Sequence, residues 1–146
     1  MPLLKVGLIG GTGSIGVHVM EHLSRMVESN SHNAPSEIRV LTRTPQEHPS
    51  RAGVKYVFGE IDNYDSVKAA FESHYVSFRE MNNTEYHISR LFVCLPQSYS
   101  SDEMIRVGKM IGDVAKELKI TMIVRISSMG IDNNARDHLG LPRVYD

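Results

Sequence analysis

Short runs of apolar residues alternate along the chain with longer segments in which apolar residues recur every three or four positions. The short runs are typical of strands, and the spaced segments are typical of amphipathic helices. Three helices are predicted, at residues 14–29, at 62–73 and from Ser100 to about residue 118. The five predicted strands lie before, between and after these helices, at residues 6–9, 37–42, 54–58, 90–95 and 121–126.

The helices carry local signals of where they begin and which side they bury. Asp62 or Asn63 is predicted to cap the second helix. Ser100, followed three residues later by Glu103, forms a capping box for the third helix. The apolar face predicted for the first helix contains Ile15, Val19, Leu23, Met26 and Val27.

The order of the elements predicts the fold class. Apolar strands joined by crossovers favour a parallel sheet that is covered on both faces, and right-handed crossovers favour the strand order 3-2-1-4-5. We therefore expect an α/β fold, a doubly wound parallel sheet of the Rossmann-like type with helices on both faces. Residues 1–146 are expected to form one domain, with residues 75–87 interpreted as an irregular insertion and no element predicted after residue 126.

Composition and charge narrow the range of functions. Hydrophobic residues make up 41% and charged residues 23% of the 146 residues, ordinary values for a globular protein. The net charge is -1, so neither nucleic acid nor an anionic membrane is an expected partner. No apolar run approaches the roughly 18 residues that span a bilayer, and the first residues lack a signal-peptide pattern. The single cysteine, Cys94, is expected to be a buried strand residue in a reducing, cytoplasmic setting.

Between the first strand and the first helix lies a turn that reads Gly-Gly-Thr-Gly-Ser-Ile-Gly. It satisfies both G-x-G-x-x-G and G-x-x-G-x-x-G. Either spacing suits a tight turn whose bare backbone approaches a diphosphate at a helix N-terminus. The alternative is a glycine turn that serves packing only. The predicted diphosphate-binding residues are Gly10, Gly11, Thr12, Gly13, Ser14, Ile15 and Gly16.

The end of the second strand bears on the choice of cofactor. Sites that prefer NAD usually place an acidic residue there to bind the ribose 2′-hydroxyl. Here the strand ends in Leu41-Thr42-Arg43, and a guanidinium attracts a 2′-phosphate that a carboxylate would repel. The expected cofactor is therefore NADP(H), with NAD(H) second. The alternative for Arg43 is an ordinary arginine in a solvent-facing loop.

Four segments together resemble the NmrA-like branch of the atypical short-chain dehydrogenases and reductases. They are the glycine turn at residues 10–16, Leu-Thr-Arg at 41–43, Gly-Glu-Ile-Asp-Asn at 59–63 with Ser66, and Val-Arg-Ile-Ser-Ser at 124–128 with Gly130. The resemblance spans nearly the whole chain. It implies an NADP-binding reductase, a quinone or isoflavone-type reductase, or a non-catalytic redox sensor.

The same resemblance implies roles for individual residues. Residues 12–15 would line the diphosphate and Arg43 the adenosine 2′-phosphate. Glu60 and Ile61 would lie near the adenine. The nicotinamide ribose would be flanked by Leu95, Pro96 and Gln97, with Ser127 and Ser128 further along that edge.

Two departures from the family pattern affect the expected activity. The only tyrosine after the fifth strand, Tyr145, is followed by Asp146 alone, so the chain is interpreted as lacking the catalytic pair Tyr-x-x-x-Lys. Family members also continue past the fifth strand, so the chain resembles their cofactor-binding half and is expected to be truncated. An apolar strand edge left at that point would favour self-association.

Two main functions follow from these observations. The first is an oxidoreductase that transfers hydride from NADPH to a small carbonyl, enone or quinone; the substrate and the catalytic residues stay unassigned. The alternative is a non-catalytic NAD(P)-dependent sensor, and a third option is an inactive fragment. His18 and His22 match the metal-protease pattern H-x-x-E-H, but their face continues through Arg25 as a solvent stripe, so no metal is expected.

Overall fold

The computed structural model describes residues 4–72 and 88–126 of the chain. The segment at 75–87, interpreted above as an insertion, lies outside the described residues, as do Ser127, Ser128 and the residues that follow them.

Strands and helices alternate along most of the described chain. The strands are β1 (Lys5–Ile9), β2 (Glu37–Thr42), β3 (Val54–Phe58), β4 (Arg90–Val93) and β5 (Met122–Arg125). The helices are α1 (Gly16–Glu28), α2 (Tyr64–Phe71) and α3 (Ser101–Glu117). A short 3-10 turn, Pro45–Glu47, lies between β2 and β3.

The strands form one parallel sheet in the order β3-β2-β1-β4-β5, which confirms the predicted order. Along the chain the sheet first grows from β1 to β3 and then resumes on the other side of β1 with β4. The loops after β1 and β4 therefore diverge at the carboxyl ends of the strands. In open α/β sheets, ligands bind in the crevice at this point.

Each face of the central strands has its own core, because successive side chains of a strand point to opposite faces. Ile9 and Leu41 belong to a cluster with Phe71 of α2 and Ile111 of α3. The cluster on the opposite face, beneath α1, consists of Val6, Leu8, Met20, Ile38, Val40 and Phe92. Helices thus cover both faces of the central strands, as predicted.

The predicted start of α1 was wrong, whereas its predicted apolar face was correct in part, because Val19, Leu23 and Val27 are partly buried against the core. The helix begins at Gly16 rather than Ser14, and Ile15 is 40% exposed. Its buried residues are Gly16, Met20 and Ser24. Ser24 can be buried because its hydroxyl donates a hydrogen bond to the carbonyl of Ala52 at 2.8 Å. A pattern of apolar residues cannot indicate a buried serine, so Ser24 was not part of the predicted face.

The last two strands are shorter than predicted, and β5 is an exposed strand. All four residues of β5 are exposed, including Ile123 at 45% and Val124 at 50%. Within the described residues β5 pairs with β4 alone. Cys94 follows the end of β4 and is half-buried rather than fully buried; burial raises the pKa of its thiol, so the group stays protonated and weakly nucleophilic.

A buried charged cluster joins elements at the amino ends of the strands. Arg39 is only 2% exposed and donates hydrogen bonds to the carbonyls of Ala70 and Glu72, at 3.1 and 2.8 Å, where α2 ends. Glu37 accepts hydrogen bonds from Arg39 at 3.0 Å and from Lys5 at 3.1 Å. The cluster joins β1, β2 and α2 at the amino ends of the strands, opposite the carboxyl ends.

Candidate dinucleotide-binding site

A cleft of about 280 Å³ opens at the carboxyl ends of β1, β2 and β3. It lies beside the glycine turn, where the fold leads us to expect a ligand. The residues that line it are Ile9, Gly10, Thr12, Leu41, Thr42, Arg43, Thr44, Gly59 and Ile61.

At two positions of the glycine turn, neighbouring backbone atoms lie too close to admit a side chain. Gly10 has a φ of +80°, and a Cβ there would lie 2.2 Å from the carbonyl oxygen of Cys94. A Cβ on Gly16 would lie 1.9 Å from the carbonyl oxygen of Gly10. Glycine is therefore required at both positions by the fold itself: Gly10 lets the turn meet the end of β4, and Gly16 lets α1 pack on the turn.

The middle glycines of the turn meet different surroundings. A Cβ on Gly13 would find its nearest neighbour, the carbonyl oxygen of Gly10, at 3.4 Å, an ordinary contact. A Cβ on Gly11 would lie 3.0 Å from Leu8 and Val40 in the core, a tight contact. The protein therefore does not itself require a glycine at position 13. A bare backbone there suits the close approach of an external group.

The backbone of the turn presents hydrogen-bond donors. The amide of Gly13 donates to the carbonyl of Gly10 at 3.1 Å and closes the turn. Within the described residues, the amides of Thr12, Ser14 and Ile15 donate to no acceptor. Amides at the start of a helix lack intrahelical acceptors and favour an anion. The turn therefore presents amide donors of the kind that the predicted diphosphate site needs.

Arg43 follows β2 and faces the cleft. Its side chain is exposed, and it forms no hydrogen bond or ion pair with the described part of the chain. No acidic side chain is among the residues that line the cleft. A guanidinium in this setting can bind a phosphate through two parallel hydrogen bonds.

The loop between β3 and α2 completes this side of the cleft. The amide of Gly59 donates to the carbonyl of Thr42 at 3.0 Å, so the loop is fixed against the end of β2. The amide of Glu60 donates to the hydroxyl of Ser66 at 2.8 Å. Ile61 lines the cleft, whereas Glu60 is exposed and does not. Of the two caps predicted for α2, the structure uses Asn63, whose side chain accepts from the amide of Ser66.

The structure brings only part of the predicted set together. Gly10, Thr12, Thr42, Arg43 and Ile61 line the cleft. Of the others, Gly11 and Gly16 are buried beneath the turn. Gly13, Ser14 and Ile15 are exposed beside it, and Leu95, Pro96 and Gln97 follow β4 outside the cleft lining.

Tyr99 is a neighbour of the site that sequence reasoning did not identify. It is half-buried against the core, and its amide donates to the carbonyl of Pro96 at 3.1 Å. Burial raises the pKa of Tyr99, the charge of Asp62 adds to the rise, and the charge of Arg43 opposes it. Tyr99 therefore lies within electrostatic reach of Arg43, although 56 positions separate them. Ile9, Leu41 and Gly59 also line the cleft and were not predicted, and only their place beside predicted residues could have indicated them; Thr44, expected with Thr42 to add a hydroxyl contact, lines it too.

A Tyr-x-x-x-Lys spacing does occur in the chain, at Tyr64 and Lys68 of α2, so the interpretation that the chain lacks it was wrong. Lys68 pairs with Glu117 of α3 at 2.8 Å, and the hydroxyl of Tyr64 donates to the same carboxylate. That hydrogen bond raises the pKa of Tyr64, the opposite of what a catalytic tyrosine needs. Neither residue lines the cleft, so the pair joins two helices and takes no part in the site.

The two histidines of the H-x-x-E-H pattern lie on the exposed side of α1, as predicted. His18 is 3.9 Å from Glu21, and the side chain of His18 is 79% exposed. Among residues 4–72 and 88–126, no group of three or more potential metal ligands is present.

Solved structures match this chain in fold, whereas no family model and no curated protein matches it in sequence. A Rossmann-fold NAD(P)-binding family protein from Shigella flexneri is 14% identical with a TM-score of 0.60, over 94% of this chain and 61% of that chain. A nucleoside-diphosphate-sugar epimerase from Staphylococcus aureus is 16% identical with a TM-score of 0.66, over 90% of this chain and 40% of that chain. The triphenylmethane reductase of Citrobacter sp., complexed with NADP(H), is 19% identical with a TM-score of 0.62, over 93% of this chain and 43% of that chain.

The similarity to these structures concerns the fold. The chain has the Rossmann fold of NAD(P)-binding proteins, and the predicted fold class is confirmed. It spans between 40% and 61% of the length of the three matched chains. No helix within the described ranges is long and apolar enough to cross a membrane.

Proposed function

We propose that this chain is the NADP(H)-binding part of an oxidoreductase of the NmrA-like group, which transfers hydride from NADPH to a small carbonyl, enone or quinone. The observation that carries the proposal is the position of Arg43. Its guanidinium borders a cleft that begins at the glycine turn, and no carboxylate lines that cleft. This combination favours a dinucleotide with a 2′-phosphate over one with a free 2′-hydroxyl.

The residues present fit such a cofactor. Within the described residues, the amides of Thr12 and Ser14 in the turn have no acceptor, and the backbone at Gly13 has room for an external group. These residues would hold the diphosphate. Arg43 would hold the 2′-phosphate, and Ile61 offers an apolar surface for the adenine.

When bound, the cofactor supplies a hydride from its nicotinamide ring. The protein's own contribution is to bind and orient the dinucleotide across the carboxyl ends of the strands. By resemblance to the NmrA-like group, the nicotinamide ribose would be flanked by Leu95, Pro96 and Gln97, with Ser127 and Ser128 further along that edge.

A dinucleotide sensor without catalysis is the second candidate. It is favoured by the pair Tyr64 and Lys68, which has the Tyr-x-x-x-Lys spacing but is bound to Glu117 of α3 and does not line the cleft. A sensor would bind NADPH in the same way and oxidise none of it.

Titration with NADPH and NADH tests the proposed cofactor. We expect the wild-type chain to prefer NADPH. Arg43→Ala should weaken NADPH binding by about tenfold to a hundredfold, because a charge-assisted hydrogen bond to phosphate is lost, and should leave NADH binding nearly unchanged. Arg25→Ala removes another exposed arginine, on α1, and serves as the control. A folded wild-type chain that binds neither nucleotide would contradict the proposal.

An assay of turnover separates the two candidate functions. The same preparation is mixed with NADPH and a panel of quinones and enones, and the absorbance of NADPH is followed. Oxidation that depends on the acceptor supports the reductase. Tight binding without oxidation across the panel contradicts catalysis by this chain and supports the sensor.

A further inference from the structure

His48 contacts the two residues that flank Arg43 in the sequence, Thr42 and Thr44. His48 ends the 3-10 turn, and its Nε2 lies 3.1 Å from the hydroxyl of Thr42 and 3.4 Å from that of Thr44. The amide of Thr44 also donates to the hydroxyl of Thr42, at 3.2 Å. The backbone on both sides of Arg43 is therefore joined through one ring nitrogen and one hydroxyl.

The hydrogen-bonding capacities of these groups match. A threonine hydroxyl has one donor and can accept two hydrogen bonds. With Nε2 unprotonated, the hydroxyl of Thr42 can donate to it while accepting from the amide of Thr44. With Nε2 protonated, the ring donates and the hydroxyl accepts both bonds. Either tautomer of His48 keeps the loop closed.

The histidine ring is itself held in place by β3. It stacks on the ring of Tyr56, with centroids 4.9 Å apart and planes 26° from parallel. The hydroxyl of Tyr56 donates to the carbonyl of Pro49 at 3.2 Å, which fixes the chain just after the histidine. His48 thus links the loop that contains Arg43 to strand β3.

We propose that His48 is a positioning residue for recognition of the 2′-phosphate. By holding Thr42 and Thr44 against β3, it fixes the short segment from which Arg43 projects, so the guanidinium borders the cleft before the ligand arrives. Ordering a loop in advance removes that entropic cost from binding. This inference rests on the proposed function, because it concerns affinity for NADPH and selectivity against NADH.

The proposal predicts a selective effect of His48→Ala. NADPH binding should weaken by about fivefold to tenfold, the range expected for the loss of one or two neutral hydrogen bonds, whereas NADH binding should change by less than about twofold. Tyr56→Leu, which removes the stacking partner without touching the cleft, should have the same selective effect to a smaller extent. His22→Ala, at an exposed histidine of α1, is the control and should change neither affinity.

A double-mutant cycle separates positioning from a general structural role. If His48 acts through Arg43, His48→Ala should cause no further loss of NADPH affinity once Arg43→Ala is present. The same loss in both backgrounds, or equal losses for NADPH and NADH, would overturn the proposal.

Hydrogen exchange of the Thr44 amide provides a readout that needs no cofactor. In His48→Ala this amide should exchange several-fold faster, because the hydroxyl that accepts from it is no longer held. Unchanged exchange would overturn the positioning role. If the wild-type chain bound neither nucleotide, the proposed function would fail, and faster exchange would still show that His48 orders the loop.

Discussion

The glycines of the turn at residues 10–16 differ in whether the fold requires them, although their spacing makes them look equivalent. Gly16 has a backbone oxygen 1.9 Å from where a Cβ would stand, so the fold requires it. Gly13 has its nearest such neighbour at 3.4 Å and is not required by the fold. The bare backbone at Gly13 therefore leaves space that an external group can approach.

A pair of alanine substitutions tests this distinction. Gly16→Ala should lower the free energy of unfolding by about 3 kcal/mol, because backbone atoms must move apart to admit the methyl group. Gly13→Ala should change it by less than about 1 kcal/mol, since the new contact is ordinary and the unfolded chain loses freedom. NADPH binding by Gly13→Ala should nevertheless weaken by about tenfold or more, because the methyl group would take up space that the proposed diphosphate needs.

Urea denaturation and NADPH titration of the two variants provide the measurements. Gly108→Ala, in α3 and away from the cleft, is a control glycine that should leave NADPH binding unchanged. If Gly13→Ala bound NADPH as the wild type does, the assignment of the turn to a diphosphate would be wrong.

At the scale of elements, the features that the sequence predicted correctly are those that depend on residues close together in the chain. The limits of β2 and β3 and the capping box of α3 were predicted as found, because apolar runs and caps depend on neighbouring residues. The buried side of α1 was predicted only in part, because Ser24 finds its acceptor, Ala52, 28 positions away. The core of the site was predictable for the same reason: it lies on the turns directly after β1 and β2.

The parts of the site that sequence reasoning missed arise from contacts between distant segments. Tyr99 comes near Arg43 only because β4 lies beside β1 in the sheet. Tyr64 and Lys68 have the spacing of a catalytic pair, but Glu117 binds both, and no spacing rule reveals that partner.

The charged cluster that joins β1, β2 and α2 predicts how stability depends on pH. Burial alone would raise the pKa of Glu37, but the hydrogen bonds and charges of Arg39 and Lys5 outweigh it and lower the pKa from its ordinary 4.5. A lowered pKa in the folded state means that the carboxylate stabilises the fold fully above about pH 4.5. That contribution is lost as the pH falls through the pKa of the folded state.

Glu37→Gln tests this contribution. We expect the variant to be less stable than the wild type by about 2 to 4 kcal/mol at neutral pH, because Arg39 and Lys5 lose their buried counter-charge. The difference should shrink below about pH 4 as the wild-type carboxylate becomes protonated. Urea denaturation at a series of pH values measures it, with Glu28→Gln as a control at an exposed glutamate of α1. A difference that is independent of pH would show that the charge of Glu37 does not contribute.

At the scale of the whole molecule, the strands of the described chain differ in how deeply they are buried. The central strands are buried between α1 on one face and α2 and α3 on the other. At one end of the sheet, β5 exposes Met122 at 51%, Ile123 at 45% and Val124 at 50%. These side chains lie on both faces of the strand, since neighbours in a strand alternate. An apolar strand at the end of a sheet is a surface on which another strand can pair.

We therefore expect two copies of this chain to associate through β5. Sedimentation velocity over a range of protein concentrations should show a dimer that dissociates on dilution. Val124→Lys places a charge on this surface without disturbing the core, so it should shift the equilibrium toward monomer while leaving the free energy of unfolding within about 0.5 kcal/mol. Ile105→Lys alters an exposed apolar residue of α3 and should leave the dimer intact. A wild-type chain that sediments as a monomer at every concentration would contradict association through β5. A dimer that is unaffected by Val124→Lys would place the contact between the two copies elsewhere.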